Sequence, residues 1–177
     1  MDRQMNSLPS SYRCRPATNE DGSAVRDIVF NALSEHGLRP DPDGVDGDLF
    51  DIQSFYHHPA ASFDVLVNTA GEIVGTLALL PANEQDIELR KMYLVPHERG
   101  KGLGRWLLEH AIEQSLARGY VRMVLDTDTA LSSAIRLYEQ HGFRPIARCD
   151  SSPMCNRSYG LVLSERAVSA LGGASFK

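Results

Sequence analysis

At 177 residues, 42% of them hydrophobic and 23% charged, the chain can bury about two thirds of its unfolded surface, which excludes a disordered, collagen-like or coiled-coil protein. A net charge of -5 argues against nucleic acid as a partner, because phosphate neutralisation takes clustered Lys and Arg, yet it leaves room for a small anionic ligand. The three cysteines, Cys14, Cys149 and Cys155, form no CxxC pair and are odd in number, so neither a disulfide framework nor a metal site is expected.

In chain order, Met1-Asp2-Arg3-Gln4-Met5-Asn6 offers no apolar signal region, and no run approaches the ~18 apolar residues of a membrane span. A cytoplasmic protein without a membrane partner is the expectation. A short strand around Tyr12 to Arg15 leads to Thr18-Asn19-Glu20-Asp21, where Thr and an acidic residue three places on have the form of a capping box. The helix it opens carries Ala24, Val25, Ile28, Val29, Ala32 and Leu33 at helical spacing and stops at Gly37. Leu38 to Gly47, rich in Pro, Asp and Gly, reads as a loop before a weaker helix from about Asp48 to His57. The runs Phe63 to Asn68 and Glu72 to Leu80, joined by Thr69-Ala70-Gly71, predict an antiparallel hairpin, and a third strand runs from Asp86 to Val95.

Leu103, Leu107, Leu108, Ala111, Ile112 and Leu116 then fall on one helical face, with Arg105, Glu109 and Glu113 opposite, and Gly119 closes the helix. Tyr120 to Asp126 follows as a strand, Thr129 to His141 as a helix stopped by Gly142, and Phe143 to Arg148 and Arg157 to Leu163 as two further strands. The order β-α-α-β-β-β-α-β-α-β-β predicts an α/β (α+β) single domain over 1–177, a mixed sheet with helices on both faces. Its core spans about 11–164, and 165–177 reads as a flexible tail.

Between the third strand of the middle group and the strongest helix stands Val95-Pro96-His97-Glu98-Arg99-Gly100-Lys101-Gly102-Leu103-Gly104-Arg105. The first N–H groups of a helix lack intrahelical partners and lie at the positive end of its dipole, so a phosphate is stabilised there if no Cβ obstructs it. Gly100, Gly102 and Gly104 remove three Cβ atoms, and Arg99, Lys101 and Arg105 add cationic donors suited to pyrophosphate. The other phosphate-binding glycine motifs do not fit. A Rossmann fingerprint needs Gly where Arg105 stands, and a P-loop needs GxxxxGK followed by Ser or Thr.

Arg99-Gly100-Lys101-Gly102-Leu103-Gly104 resembles the R/Q-x-x-G-x-G/A signature of the GNAT acyltransferases, and Ala134-Ile135-Arg136-Leu137-Tyr138-Glu139-Gln140-His141-Gly142-Phe143 resembles their A-I-x-L-Y-x-x-x-G-F helix. The resemblance implies the GNAT fold, a mixed sheet of about seven strands splayed after the fourth. It implies acetyl-CoA as co-substrate, with pantetheine pairing against backbone near Tyr93, Leu94 and Val95 like an added strand. It implies no metal, a small amine acceptor and, by analogy only, a homodimer. Many family members carry Asn where Leu131 stands; Ser132 or Ser133 is left to take that cofactor contact.

An alkylamine with a pKa near ~10.4 is almost wholly protonated at neutral pH, so its attack on a thioester needs a base. Glu88 precedes Arg99 at a spacing similar to that of the base in some family members; it reads equally as a structural glutamate facing Arg90. Tyr138, on the inward helix face, is by resemblance the general acid for the departing thiolate, against a reading as a core tyrosine beside Ile135. A backbone N–H near Leu94 is the expected oxyanion donor. His36, His57 and His58 read as solvated, and Asp41, Asp43, Asp46, Asp48 and Asp51 as a solvated loop or a lure for a cationic amine. Tyr56, Met92 and Tyr93 divide between pocket lining and core packing. An N-acetyltransferase of small amines or amino acids leads; a protein N-terminal or lysine acetyltransferase and a noncatalytic CoA-binding regulator are the alternatives.

Overall fold

The computed structural model describes residues 7–147 and 155–163. The expected tail at 165–177, Cys149 and the end of the predicted strand at Arg148 lie outside the described residues. Seven strands are hydrogen-bonded in the order β1-β2-β3-β4-β5-β7-β6, with β1 Tyr12–Pro16, β2 Ser62–Asn68, β3 Ile73–Pro81, β4 Asp86–Leu94, β5 Arg122–Thr127, β6 Arg144–Ile146 and β7 Arg157–Val162. The sheet is mixed: β4 and β5 are parallel, whereas β1–β2, β2–β3, β5–β7 and β6–β7 are antiparallel. The parallel register runs Asp86↔Arg122, Ile87↔Met123 and Glu88↔Val124. The helices are α1 Gly22–Glu35, α2 Ile52–Tyr56, α3 Leu103–Ala117 and α4 Ser132–Gln140, so the predicted order of elements holds throughout. None of the described helices is long and apolar enough to cross a membrane.

The chain divides into two compact units, Met1–Leu80 with Leu89–Ala111 and Pro81–Glu88 with Ile112–Lys177. In the first, the predicted capping box forms: Asp21 accepts from the Thr18 N–H at 2.9 Å and is gripped by both Arg15 guanidinium nitrogens at 2.7 and 2.8 Å. This opens a single 3-10 turn, Asn19–Asp21, before α1, whose apolar stripe Val25, Ile28, Val29, Ala32 and Leu33 is buried. The weak second helix resolves into a 3-10 turn, Gly47–Phe50, and the short α2. Leu49, Ile52 and Tyr56 are buried there, and Tyr56 meets Phe63 of β2 edge to face at 5.2 Å. Every residue of β2 from Phe63 to Val67 is buried, which is why its sequence shows little polar alternation.

In the second unit, β5 carries the buried run Met123, Val124, Leu125, and its register with β7 spans Arg122↔Val162 to Thr127↔Arg157. The Arg122 Nε donates to Asp86 at 2.9 Å beside the parallel pairing. Phe143, fully buried, packs against Tyr138 with ring centroids 5.6 Å apart.

Candidate functional site

The cradle begins where β4 ends. The Val95 N–H donates to the Val74 carbonyl of β3 at 3.0 Å, Pro96–Glu98 makes one 3-10 turn, and α3 starts at Leu103. The first helical bond is Trp106 N–H to the Gly102 carbonyl at 3.0 Å, so the amides of Leu103, Gly104 and Arg105 precede the intrahelical ladder and point out of the helix start. Gly100 and Gly102 have φ of 77° and 83°, a region that a side chain strains to enter. A Cβ built at either meets nothing within 4 Å, so backbone conformation rather than crowding selects glycine here. Gly104 differs, being already inside α3.

The three predicted cations each hold a carboxylate. Arg99 donates to Glu35 at 2.6 Å and through Nε to the Leu94 carbonyl at 3.0 Å; Lys101 donates to Glu98 at 2.9 Å; Arg105 donates to Glu109 at 2.9 Å. The Arg99 and Arg105 pairs are exposed and worth little, whereas the Lys101 pair ends on a buried carboxylate. Glu98, which sequence reasoning passed over, is the fixed point of the turn: buried at 7% exposure, it accepts from the Tyr12 hydroxyl at 2.5 Å and from Lys101. Those donors hold its carboxyl below the usual glutamate range, the Tyr12 hydrogen bond first. The i, i+3 spacing of Glu98 and Lys101 was its signal in the sequence.

Leu94 and Val95 pack with Leu66, Val74 and Leu103 in one apolar cluster, which fixes the end of β4. Upstream, within the continuous strand β4, Lys91 has φ 51° although it is not glycine, a torsion that nothing in its residue type announces. Its carbonyl accepts from the Thr76 hydroxyl at 2.6 Å, and its ammonium bonds to Asp46 and, at 2.9 Å, to the Val45 carbonyl. Arg90 reaches the same loop, donating to the Val45 carbonyl at 3.0 Å with Asp48 at 3.5 Å. Asp46 and Asp48 are therefore buried ion-pair partners, with Tyr56 donating its hydroxyl to Asp48, and the expectation of a solvated acidic loop is corrected for both. Their charge is absorbed by Lys91 and Arg90, which argues against them as a lure for an amine. Burial, with the Asp46 charge adding to it, pushes the Tyr93 phenol up to about 12.

Glu88 and Tyr138 both belong to the second unit. Glu88 pairs in register with Val124 of β5 and is half-buried. Tyr138 is 7% exposed, the one buried residue of α4, whereas Ser132 and Ser133 are exposed at the helix start. The Ser133 hydroxyl accepts from Arg136 at 3.4 Å. Of the histidines, His36 and His57 end α1 and α2, and His57 donates to the Ala17 carbonyl at 2.8 Å. Burial and the neighbouring Asp64 push the Cys14 thiol up to about 12, which disfavours it as an acyl-accepting nucleophile.

Residues 27–143 match the Acetyltransferase (GNAT) family. The chain is 37% identical over 146 residues to the uncharacterized N-acetyltransferase YjgM of Escherichia coli (strain K12), covering 80% of this chain and 87% of that one. It is 32% identical over 104 residues to the N-acetylaspartate synthetase of Danio rerio, covering 58% of this chain and 37% of that one. Among solved structures, a GNAT-family acetyltransferase from Staphylococcus aureus Mu50 superposes with a TM-score of 0.78 at 25% identity, over 86% of this chain and 99% of the other.

Proposed function

The chain belongs to the GNAT family and is an acetyl-CoA-dependent N-acetyltransferase, and from that premise we propose that it acetylates the primary amine of a small molecule or amino acid by direct transfer in a ternary complex. The observation that carries cofactor binding is the start of α3, where two positive-φ glycines, with open space at their Cβ positions, lead into helix amides that have no intrahelical acceptor. Those amides hold the pyrophosphate, with Arg99 and Arg105 exchanging their exposed carboxylates for it and Lys101 reaching it from beside Glu98. The likeness to an enzyme named for N-acetylaspartate favours an amino acid as acceptor.

When bound, acetyl-CoA supplies a thioester, an acyl group already activated toward amines. The chain's own residues then have three tasks. Glu88 takes a proton from the acceptor ammonium through a water, leaving the nitrogen lone pair free to attack. The Leu94 N–H stabilises the oxyanion: the Val95 N–H is committed to Val74, and because successive amides of an extended strand face opposite edges, that of Leu94 faces away from β3. The Tyr138 hydroxyl protonates the departing sulfur as the C–S bond breaks, the newly acylated nitrogen sheds its second proton to restore the phenol through solvent, and Glu88 releases the first to water. Ser133 is the proposed contact in place of the family's Asn. No covalent acyl-protein species is required, in keeping with the raised Cys14 thiol.

A thiol-release assay with acetyl-CoA against amines, amino acids and peptides tests the reading. Release with a free amino acid or amine is the expected result. Release confined to peptides assigns a protein acceptor, and acetyl-CoA binding without release from any acceptor overturns the catalytic assignment in favour of a CoA-binding regulator.

A further inference from the structure

We propose that Cys14, Asp64 and His110 form a binding site for a divalent transition-metal ion, zinc first among them. Their Sγ, carboxylate oxygen and Nε2 all lie within 4.8 Å of one another, although Cys14 and His110 are separated by 96 positions in the chain. Three elements bring them together. Alternation along paired strands puts Cys14 of β1 and Asp64 of β2 on the same face of the sheet, on a diagonal of the register in which Cys14 faces Leu66 and Pro16 faces Asp64. The α3 helix supplies His110 one turn beyond Trp106, whose ring stacks on the imidazole at 4.7 Å and 14° and fixes its plane.

The geometry favours a shared ligand over a proton relay. In an acid-imidazole-nucleophile relay the two partners occupy opposite ring nitrogens. Here one nitrogen, Nε2, faces both Cys14 Sγ at 3.9 Å and Asp64 Oδ2 at 3.6 Å. Metal-ligand lengths of about 2.0–2.3 Å at tetrahedral angles separate neighbouring ligand atoms by about 3.4–3.6 Å, so the two separations at His110 Nε2 need a contraction of only a few tenths of an ångström, and the third, between Cys14 Sγ and the Asp64 carboxylate, starts within 4.8 Å. Thiolate and imidazole beside one carboxylate suit zinc and exclude magnesium and calcium, which take oxygen ligands. As the sulfur-metal bond forms, the thiol proton passes to solvent. Water completes the tetrahedron, and the ion ties β1, β2 and α3 together. None of these residues belongs to the cofactor cradle, so the inference stands apart from the acetyl-transfer reading.

The test uses the full untagged chain, stripped of metal and titrated with Co(II), which reports a thiolate ligand through a near-ultraviolet charge-transfer band. One Co(II) per chain with that band, displaced by one Zn(II), is expected. Cys14→Ser should lose the band while keeping its far-ultraviolet circular dichroism, and His110→Gln should weaken binding on the order of tenfold or more. Zn(II) should raise the unfolding temperature of the wild type by more than that of either variant. No charge-transfer band with Co(II) in excess, or a band undiminished in Cys14→Ser, overturns the site.

Discussion

Single residues make sharply different demands on the chain. Gly102 sits at φ 83°, where a side chain costs about 1–2 kcal/mol, and more if β-branched. Gly102→Val should therefore lower the unfolding temperature by a few degrees and weaken acetyl-CoA binding at least ~10-fold by calorimetry, because its isopropyl group fills the open position just before the start of α3. Tyr138→Phe removes one oxygen from a packed ring: kcat should fall about 10²-fold or more while the dissociation constant for CoA stays within a factor of two or so, and unchanged turnover would remove Tyr138 as the acid. Glu98 gives a pH signature. Its folded-state carboxyl is held below the ordinary value, chiefly by Tyr12, so its contribution is complete above the ordinary glutamate range and is lost as pH falls through the lower folded value. Melting temperatures followed downward from about pH 6 should fall less steeply in Tyr12→Phe than in the wild type.

At the level of elements, helix ends explain why periodicity was such a good guide. Three helices stop by the same device: the residue after the glycine donates back to the third helical carbonyl from the end, as Leu38 to Leu33 at 3.0 Å, Tyr120 to Ser115 at 3.1 Å and Phe143 to Tyr138 at 3.1 Å. All three glycines were read as stops, because the motif is local and needs only a residue at ease with positive φ. Gly142, at φ 90°, bears on the proposed acid, since the carbonyl that this turn satisfies belongs to Tyr138. Gly142→Ala should destabilise the protein by about 1–2 kcal/mol in urea unfolding, a loss Gly71→Ala in the hairpin should match in kind but without any effect on kcat.

For the whole molecule, the loop at 41–50 is fastened to β4 by buried charge rather than by apolar packing alone. Lys91 is 8% exposed and pairs with Asp46 at 3% and Asp48 at 4%. Lys91→Met leaves two buried carboxylates with Arg90 alone, so urea unfolding should show a loss of about 3–5 kcal/mol, and a loss below about 1 kcal/mol would mean that water enters the cluster freely. What the sequence determined by itself was the order of strands and helices, their glycine stops and the glycine-rich turn that opens α3, because each depends on side-chain period or backbone torsion within a few neighbouring residues. Only the tertiary structure decided that Lys91 takes a positive φ inside β4, that Asp46 and Asp48 leave the solvent, that Arg99 rests on Glu35, and that Cys14, Asp64 and His110 meet. Those outcomes depend on strand register and on which helix face lands on which strand, and pairings between residues so far apart leave no periodic trace in the chain.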